Sequence, residues 1–232
     1  MPSDADAQLS ELLDQVRNPP VKSIVALALG ETGSRKATPE LLEMLKQARR
    51  QGSWAAADAL IALNDAAIIP ELIQWYDETI SEADRERIVY ILGWMHAERA
   101  RELLPKALTS SRRKLVGRAV DLMWLLSPAA GDADFLMAQL QRIVNSDPEH
   151  PEALGLWADE WVQKRLVRTI DKTCLTAALP DLERLQIHVA SRAQPPDPVE
   201  RPKLEKSIRE AIRTLRAFEA MGKSVESMHN NN

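Results

Sequence analysis

The sequence predicts an all-α fold, a right-handed α-α superhelix of stacked helix pairs with a less regular C-terminal part. Three observations predict it. First, a segment of about thirty residues recurs: Ala28-Leu29-Gly30-Glu31 and Pro39-Glu40-Leu41-Leu42 return 31 residues later as Ala59-Leu60-Ile61-Ala62 and Pro70-Glu71-Leu72-Ile73. Ile91-Leu92-Gly93-Trp94 and Leu122-Met123-Trp124-Leu125 continue the series, and a fixed period in this range marks a solenoid. Second, apolar residues fall at helical spacing within each copy, as Ile24, Leu27 and Ala28 and then Leu41, Leu42 and Leu45,. Third, 45% of residues are hydrophobic but only 4% are aromatic, so the core is to be built mainly from Leu, Ala, Ile and Val packed between helices,.

The elements follow in order. Residues 1–20 carry Asp4, Asp6, Glu11 and Asp14 and are expected to form an N-terminal capping helix. This stretch lacks a basic segment and an apolar run, so no secretory signal is expected. Residues 21–145 hold four repeats. In the first, Gly33-Ser34 breaks the helical pattern and Thr38-Pro39 starts a second helix, with Thr38 as N-cap and Pro39 where its missing N–H costs nothing. The second repeat runs from Trp54 to Ile80, the third from Glu82 to Leu108 and the fourth from Arg112 to Leu140. Ala28, Gly30 and Ala59 are small enough to let helices approach closely. One pair alone leaves an apolar face open, so the units must stack.

The period slackens over 146–194, an irregular helical continuation through Trp157, Trp161, Leu166 and Ile170 and then around Pro180. Residues 195–202 read as a linker, because Pro195, Pro196, Pro198 and Pro202 oppose regular structure. A final helix over 203–223 carries Leu204, Ile208, Ala211, Leu215 and Phe218 in steps of four and three,. Residues 224–232 are expected to be a frayed polar tail. The final helix holds Lys203, Lys206, Arg209, Arg213, Arg216 and Lys223 against Glu205, Glu210 and Glu219, a net +3, while the whole chain is −4. Its seam is expected to fold back and cap the last repeat. The rival outcome is a homodimer through Leu204, Ile208, Leu215 and Phe218, since the spacing also suits a coiled coil.

The run Val25-Ala26-Leu27-Ala28-Leu29-Gly30-Glu31-Thr32-Gly33, followed by Thr38-Pro39-Glu40-Leu41-Leu42-Glu43-Met44-Leu45, resembles the short HEAT-like repeats first described in phycobilisome lyases. The resemblance covers about half the chain, Val21 to Leu140, and implies an armadillo-like helical solenoid whose second helices line a concave face. Activity does not follow from it. Deoxyhypusine hydroxylases of similar architecture bind iron through repeated His-Glu pairs, whereas this chain has only His96-Ala97-Glu98, unrepeated. DNA glycosylases built from such repeats use a basic cleft, whereas Arg49, Arg50, Arg112, Arg113, Lys114 and Arg118 are scattered among as many acids. Nothing marks the tetrapyrrole pocket of a bilin lyase.

No catalytic, cofactor or metal constellation is expected, the four His and the one Cys, Cys174, being too dispersed for ligand spacing,. A lone Cys and the absence of an eighteen-residue apolar run point to a cytoplasmic protein without a membrane span. The net charge of −4 argues against nucleic acid as an obligate partner, although a basic strip on one face would evade that argument,. Ser110-Ser111-Arg112-Arg113-Lys114 reads as a solvated turn or as a phosphate site. Met44 and Trp75 are equivalent on successive second helices, with Gln74 beside Trp75, and are candidate partner contacts or second-row core. Trp94 and Trp124 recur on successive first helices, with Trp157 or Trp161 next, as a Trp-rich core or a face awaiting cover. The expected function is a non-catalytic scaffold or adaptor holding a protein or peptide partner. The alternative is a lyase-chaperone or DNA-glycosylase-like protein with a site assembled from dispersed residues.

Overall fold

In the computed structural model the described residues are 4–16, 18–33, 35–47, 52–126, 129, 131–146, 151–191 and 198–230. Among them every regular element is helical and there is no strand. The chain divides into two compact units, Met1–Ala107 and Leu108–Asn232.

Unit 1 contains α1 (Asp4–Gln15), α2 (Pro19–Thr32), α3 (Thr38–Gln47), α4 (Ser53–Leu63), α5 (Ile69–Glu78), α6 (Glu82–Trp94) and most of α7 (Leu104–Leu108). The pairs α2/α3, α4/α5 and α6/α7 share one local grammar. Each first helix ends at a residue in the left-handed region, Gly33 (φ 70°), Asn64 (φ 46°) and His96 (φ 51°), which turns the chain out of the helix,. A short 3-10 turn follows, Arg35–Ala37, Ala66–Ile68 or Glu98–Leu103. The second helix then opens with proline in its first turn, at Pro39, Pro70 and Pro105,. Thr38 departs from its expected role as N-cap. The 3-10 turn runs straight into α3, so its hydroxyl is released to donate to Asp65 Oδ2 across to the next repeat (3.2 Å).

The core of unit 1 follows the repeat. Leu29, Leu60, Ile91 and Leu92 are fully buried at matching places on the first helices, and Leu41, Leu45 and Leu72 on the second. The expected close approach occurs between Gly30 and Ala59. A Cβ on Gly30 would stand 2.7 Å from Ala59 Cα, so α2 and α4 pack with almost no side chain between them.

Unit 2 contains α8 (Arg113–Leu125), α9 (Asp132–Val144), α10 (Glu160–Lys172), α11 (Leu179–Ser191) and α12 (Glu200–Asn230). The segment expected to be irregular holds a further regular pair: α10 ends at Cys174 (φ 52°), a 3-10 turn spans Thr176–Ala178, and Pro180 lies in the first turn of α11. Its spacing from the earlier pairs hid it, because the 3-10 segment Pro151–Ala158 intervenes. Two boundaries at the C-terminus also differ from expectation. Helix α12 begins at Glu200, inside the expected linker, since Pro202 sits in a first turn where an N–H has no helical partner to lose,. It continues to Asn230, through the segment expected to fray. Residues 192–197 of the linker lie outside the described residues.

The final helix folds back on its own unit. Leu204, Ile208, Ala211, Ile212 and Leu215 are buried, and α12 packs on α10 and α11. Leu204, Ile208 and Leu215, offered above for pairing with a second chain, are thus consumed within the chain, and only Phe218 of that seam is exposed. Polar contacts fix the register. Arg201 Nε meets Glu160 Oε1 at 3.0 Å, and Arg216 Nη2 meets Glu183 Oε1 at 2.6 Å.

Candidate functional site

On unit 1 the second helices carry two open grooves. One, of about 690 Å³, is lined by Lys46, Ala67, Pro70, Glu71, Gln74, Trp75 and Glu78. Lys46 Nζ bridges from α3 to Glu71 Oε1 on α5 at 2.6 Å, and Gln74 Nε2 donates to Glu78 Oε1 at 2.7 Å. Trp75 is half-buried, leaving part of its indole at the groove. The second, of about 350 Å³, is lined by Leu13, Lys22, Pro39, Glu40, Glu43, Met44 and Gln47. Acidic side chains outnumber basic ones along both rims.

Gln74 and Trp75, neighbours on α5, both line the larger groove. Met44 does not join them as an accessible contact. It is buried, and a Cβ on Gly52 would come 2.8 Å from Met44 Cε, so the thioether fills the space where α4 begins. Trp94 ends α6 and is exposed. It stacks edge-on to Tyr90 (6.4 Å), which meets Trp54 (5.3 Å) and donates to Asp58 Oδ1 at 3.0 Å. Trp124 belongs to unit 2, half-buried on α8 beneath Arg168 (5.8 Å). Trp157 is buried edge-on to Phe135, whereas Trp161 opens α10. Trp54 and Trp94 thus share a cluster around Tyr90 in unit 1, and Trp124, Trp157 and Trp161 belong to unit 2.

Unit 2 holds a constellation that the sequence reading missed. Asp121 on α8 is buried, and its Oδ2 accepts from Arg165 Nη1 on α10 at 2.6 Å, with Arg118 Nη1 at 4.0 Å. Burial pushes the Asp121 carboxyl above its ordinary range, opposed by Arg165, Arg118, the Trp124 indole and Arg168. Burial likewise lowers the Arg165 guanidinium, with Asp121 acting against it. Desolvation therefore outweighs attraction at both partners. The Arg165 guanidinium also covers the Trp161 ring at 4.8 Å,. A signal for this was present: Trp161, Arg165, Arg168 and Lys172 fall at i, i+4, i+7 and i+11, one face of a helix,. The residues that meet it, Gly117 and Asp121, lie 44 positions away and have no local signature.

His96 and Cys174 occupy left-handed helix ends rather than a shared site, and no three His, Cys, Asp or Glu side chains among the described residues gather as metal ligands. No helix among them is long and apolar enough to cross a membrane. Compared with models of protein families, with curated proteins and with solved structures, the chain matches none.

Proposed function

We propose that this chain is a non-catalytic helical-repeat adaptor, a solenoid of short HEAT-like repeats forming a right-handed superhelix, that holds a protein or peptide segment on the second-helix face of unit 1. The observation that carries the proposal is Trp75, half-buried in a groove whose charged lining is Glu71 and Glu78 against Lys46, with Gln74, Ala67 and Pro70 completing it. Aromatic anchors ringed by polar groups are the usual source of binding energy at protein interfaces. Charge complementarity assigns the partner a basic segment with one apolar side chain to lie against the indole. The recurring left-handed helix ends and first-turn prolines support the repeat assignment. Buried Asp121, Glu160 and Asp181 are each engaged by an arginine within the fold. The lone, exposed Cys174 supports a reducing, cytoplasmic setting,.

Selection of a displayed random-peptide library on the immobilised full chain tests this. Enriched sequences should combine Lys or Arg with one large apolar residue, and Trp75→Ala should weaken the selected peptide by about 2 kcal/mol, roughly 30-fold. Selection of acidic peptides, or equal affinity for the correctly folded variant, would move the site elsewhere.

A further inference from the structure

Helix α8 begins with its charges reversed from the usual order. Arg112 is its N-cap and Arg113 and Lys114 fill its first turn, three cations at the positive end of the helix dipole,. Asp159 offsets one of them, its Oδ2 lying 3.2 Å from Arg113 Nη1. Lys114 remains exposed. One turn further Arg118 approaches Asp121, and from α10 Arg165 binds the same carboxylate while Arg168 and Lys172 continue along that helix, both exposed. Three guanidiniums thus interact with a single carboxylate. Arg168 forms no ion pair with any described carboxylate, resting instead over the Trp124 ring. Asp121 is only 5% exposed, out of reach of a ligand, so it acts on Arg118 and Arg165 by holding them in place.

This array goes beyond the protein-binding groove of unit 1, and its chemistry is that of phosphate recognition: two guanidiniums, Arg118 and Arg168, flanked by two exposed ammoniums, Lys114 and Lys172,. We propose that the α8/α10 face of unit 2 binds the phosphate backbone of double-stranded nucleic acid, without reading base sequence, through Lys114, Arg118, Arg168 and Lys172. The duplex is favoured over single strands because the nearby indoles are already occupied. Trp161 lies against Gly117 and beneath Arg165, and Trp124 lies beneath Arg168, so each half-buried indole already has a guanidinium where an unpaired base would stack,. From Arg168 to Lys172 the helix rises about 6 Å, the axial span of about two phosphates on one strand. The overall negative charge does not oppose this. Residues 1–107 hold seventeen acidic against twelve basic residues, and 108–232 seventeen against eighteen, so the acidic excess lies in the other unit.

Fluorescence anisotropy of the full chain with a labelled duplex of about 20 base pairs tests the proposal. Binding should weaken between about 50 and 200 mM salt with a log–log slope of roughly −3 to −4, the value for four phosphate contacts. The double substitution Arg168→Glu/Lys172→Glu should lower affinity about tenfold or more while circular dichroism shows the chain still folded, and Lys172→Glu alone, at an exposed side chain, should lower it with an unchanged melting temperature. The double substitution Lys206→Glu/Arg213→Glu on α12, with the same change in net charge, should leave affinity within about twofold. Absence of duplex binding at the lowest salt, equal losses in the two double variants, or tighter binding of a phosphopeptide, of anionic vesicles or of a single strand of equal length would each overturn it.

Discussion

Trp161 occupies the space that a side chain at position 117 would need: a Cβ built on Gly117 would stand 2.2 Å from Trp161 Cζ3. The contact sets the approach of α8 to α10. The indole is held from a second side by Arg165, which is itself tied to Asp121, so the ring has little room to yield. Gly117→Ala should therefore destabilise the chain by about 1–3 kcal/mol, the usual cost of overpacking a closed site. Adding Trp161→Phe should recover part of that loss. Urea unfolding of the two variants decides it, and a stability for Gly117→Ala equal to wild type would show that the indole moves aside.

Asp121 makes a pH prediction with a definite sign. Its carboxyl is raised above the ordinary value of 3.8 by burial, so the folded chain holds that proton more tightly than the unfolded one. The residue's contribution to stability is then most favourable below 3.8 and is lost as pH rises through the folded-state value. Relative to Asp121→Asn, the wild type should lose stability across that window. Denaturation curves from about pH 3 to pH 7 that keep a constant gap between the two proteins would contradict it.

The Arg201–Glu160 pair should matter more than the exposed ion pairs around it. The Glu160 side chain is 1% exposed, so Arg201→Ala removes a guanidinium from a buried carboxylate, at a cost of up to about 3–5 kcal/mol,. Lys206→Ala, which breaks a 3.9 Å pair in solvent, should cost less than about 1 kcal/mol,. Similar losses for both would mean that α12 is docked by its apolar seam alone. Removing everything after Pro196 tests the seam itself: loss of Leu204, Ile208 and Leu215 should expose α10 and α11 and yield an aggregation-prone chain, read by melting temperature and light scattering.

Leu60→Asp should unfold the α4 region and with it unit 1. Leu60 is fully buried at the centre of the repeat, and an unpaired carboxylate there costs several kcal/mol, on the order of the stability of a whole domain,. A single cooperative transition at the wild-type midpoint would show that α4 tolerates the charge.

The helix pairs were legible because their causes are local. Leu29 and Leu60 repeat at one spacing, Gly30 announces a close approach that Ala59 completes, and Leu204, Ile208, Ala211 and Leu215 mark a seam that burial then uses. Other features were misread for equally physical reasons. Pro202 reads as part of a linker, yet in a first helical turn it removes no hydrogen bond. Met44 and Trp75 share a register position, yet the space beside Gly52 draws Met44 inward while Trp75 keeps an open edge.

By itself, then, the sequence determined the all-helical class, the pairing grammar and the seam of the last helix, because helical period, capping and turn chemistry act over a few residues. Of the stripe Ile24, Leu27 and Ala28, by contrast, none is buried, and α2 turns Val25, Ala26 and Leu29 inward instead. Only the tertiary structure decided which faces meet. Asp121 and Arg165, Gly117 and Trp161, and Glu160 and Arg201 are each separated by about forty positions. Their partnership arises from the stacking of whole helices, and no periodicity along one helix encodes the side chain that a different helix will present.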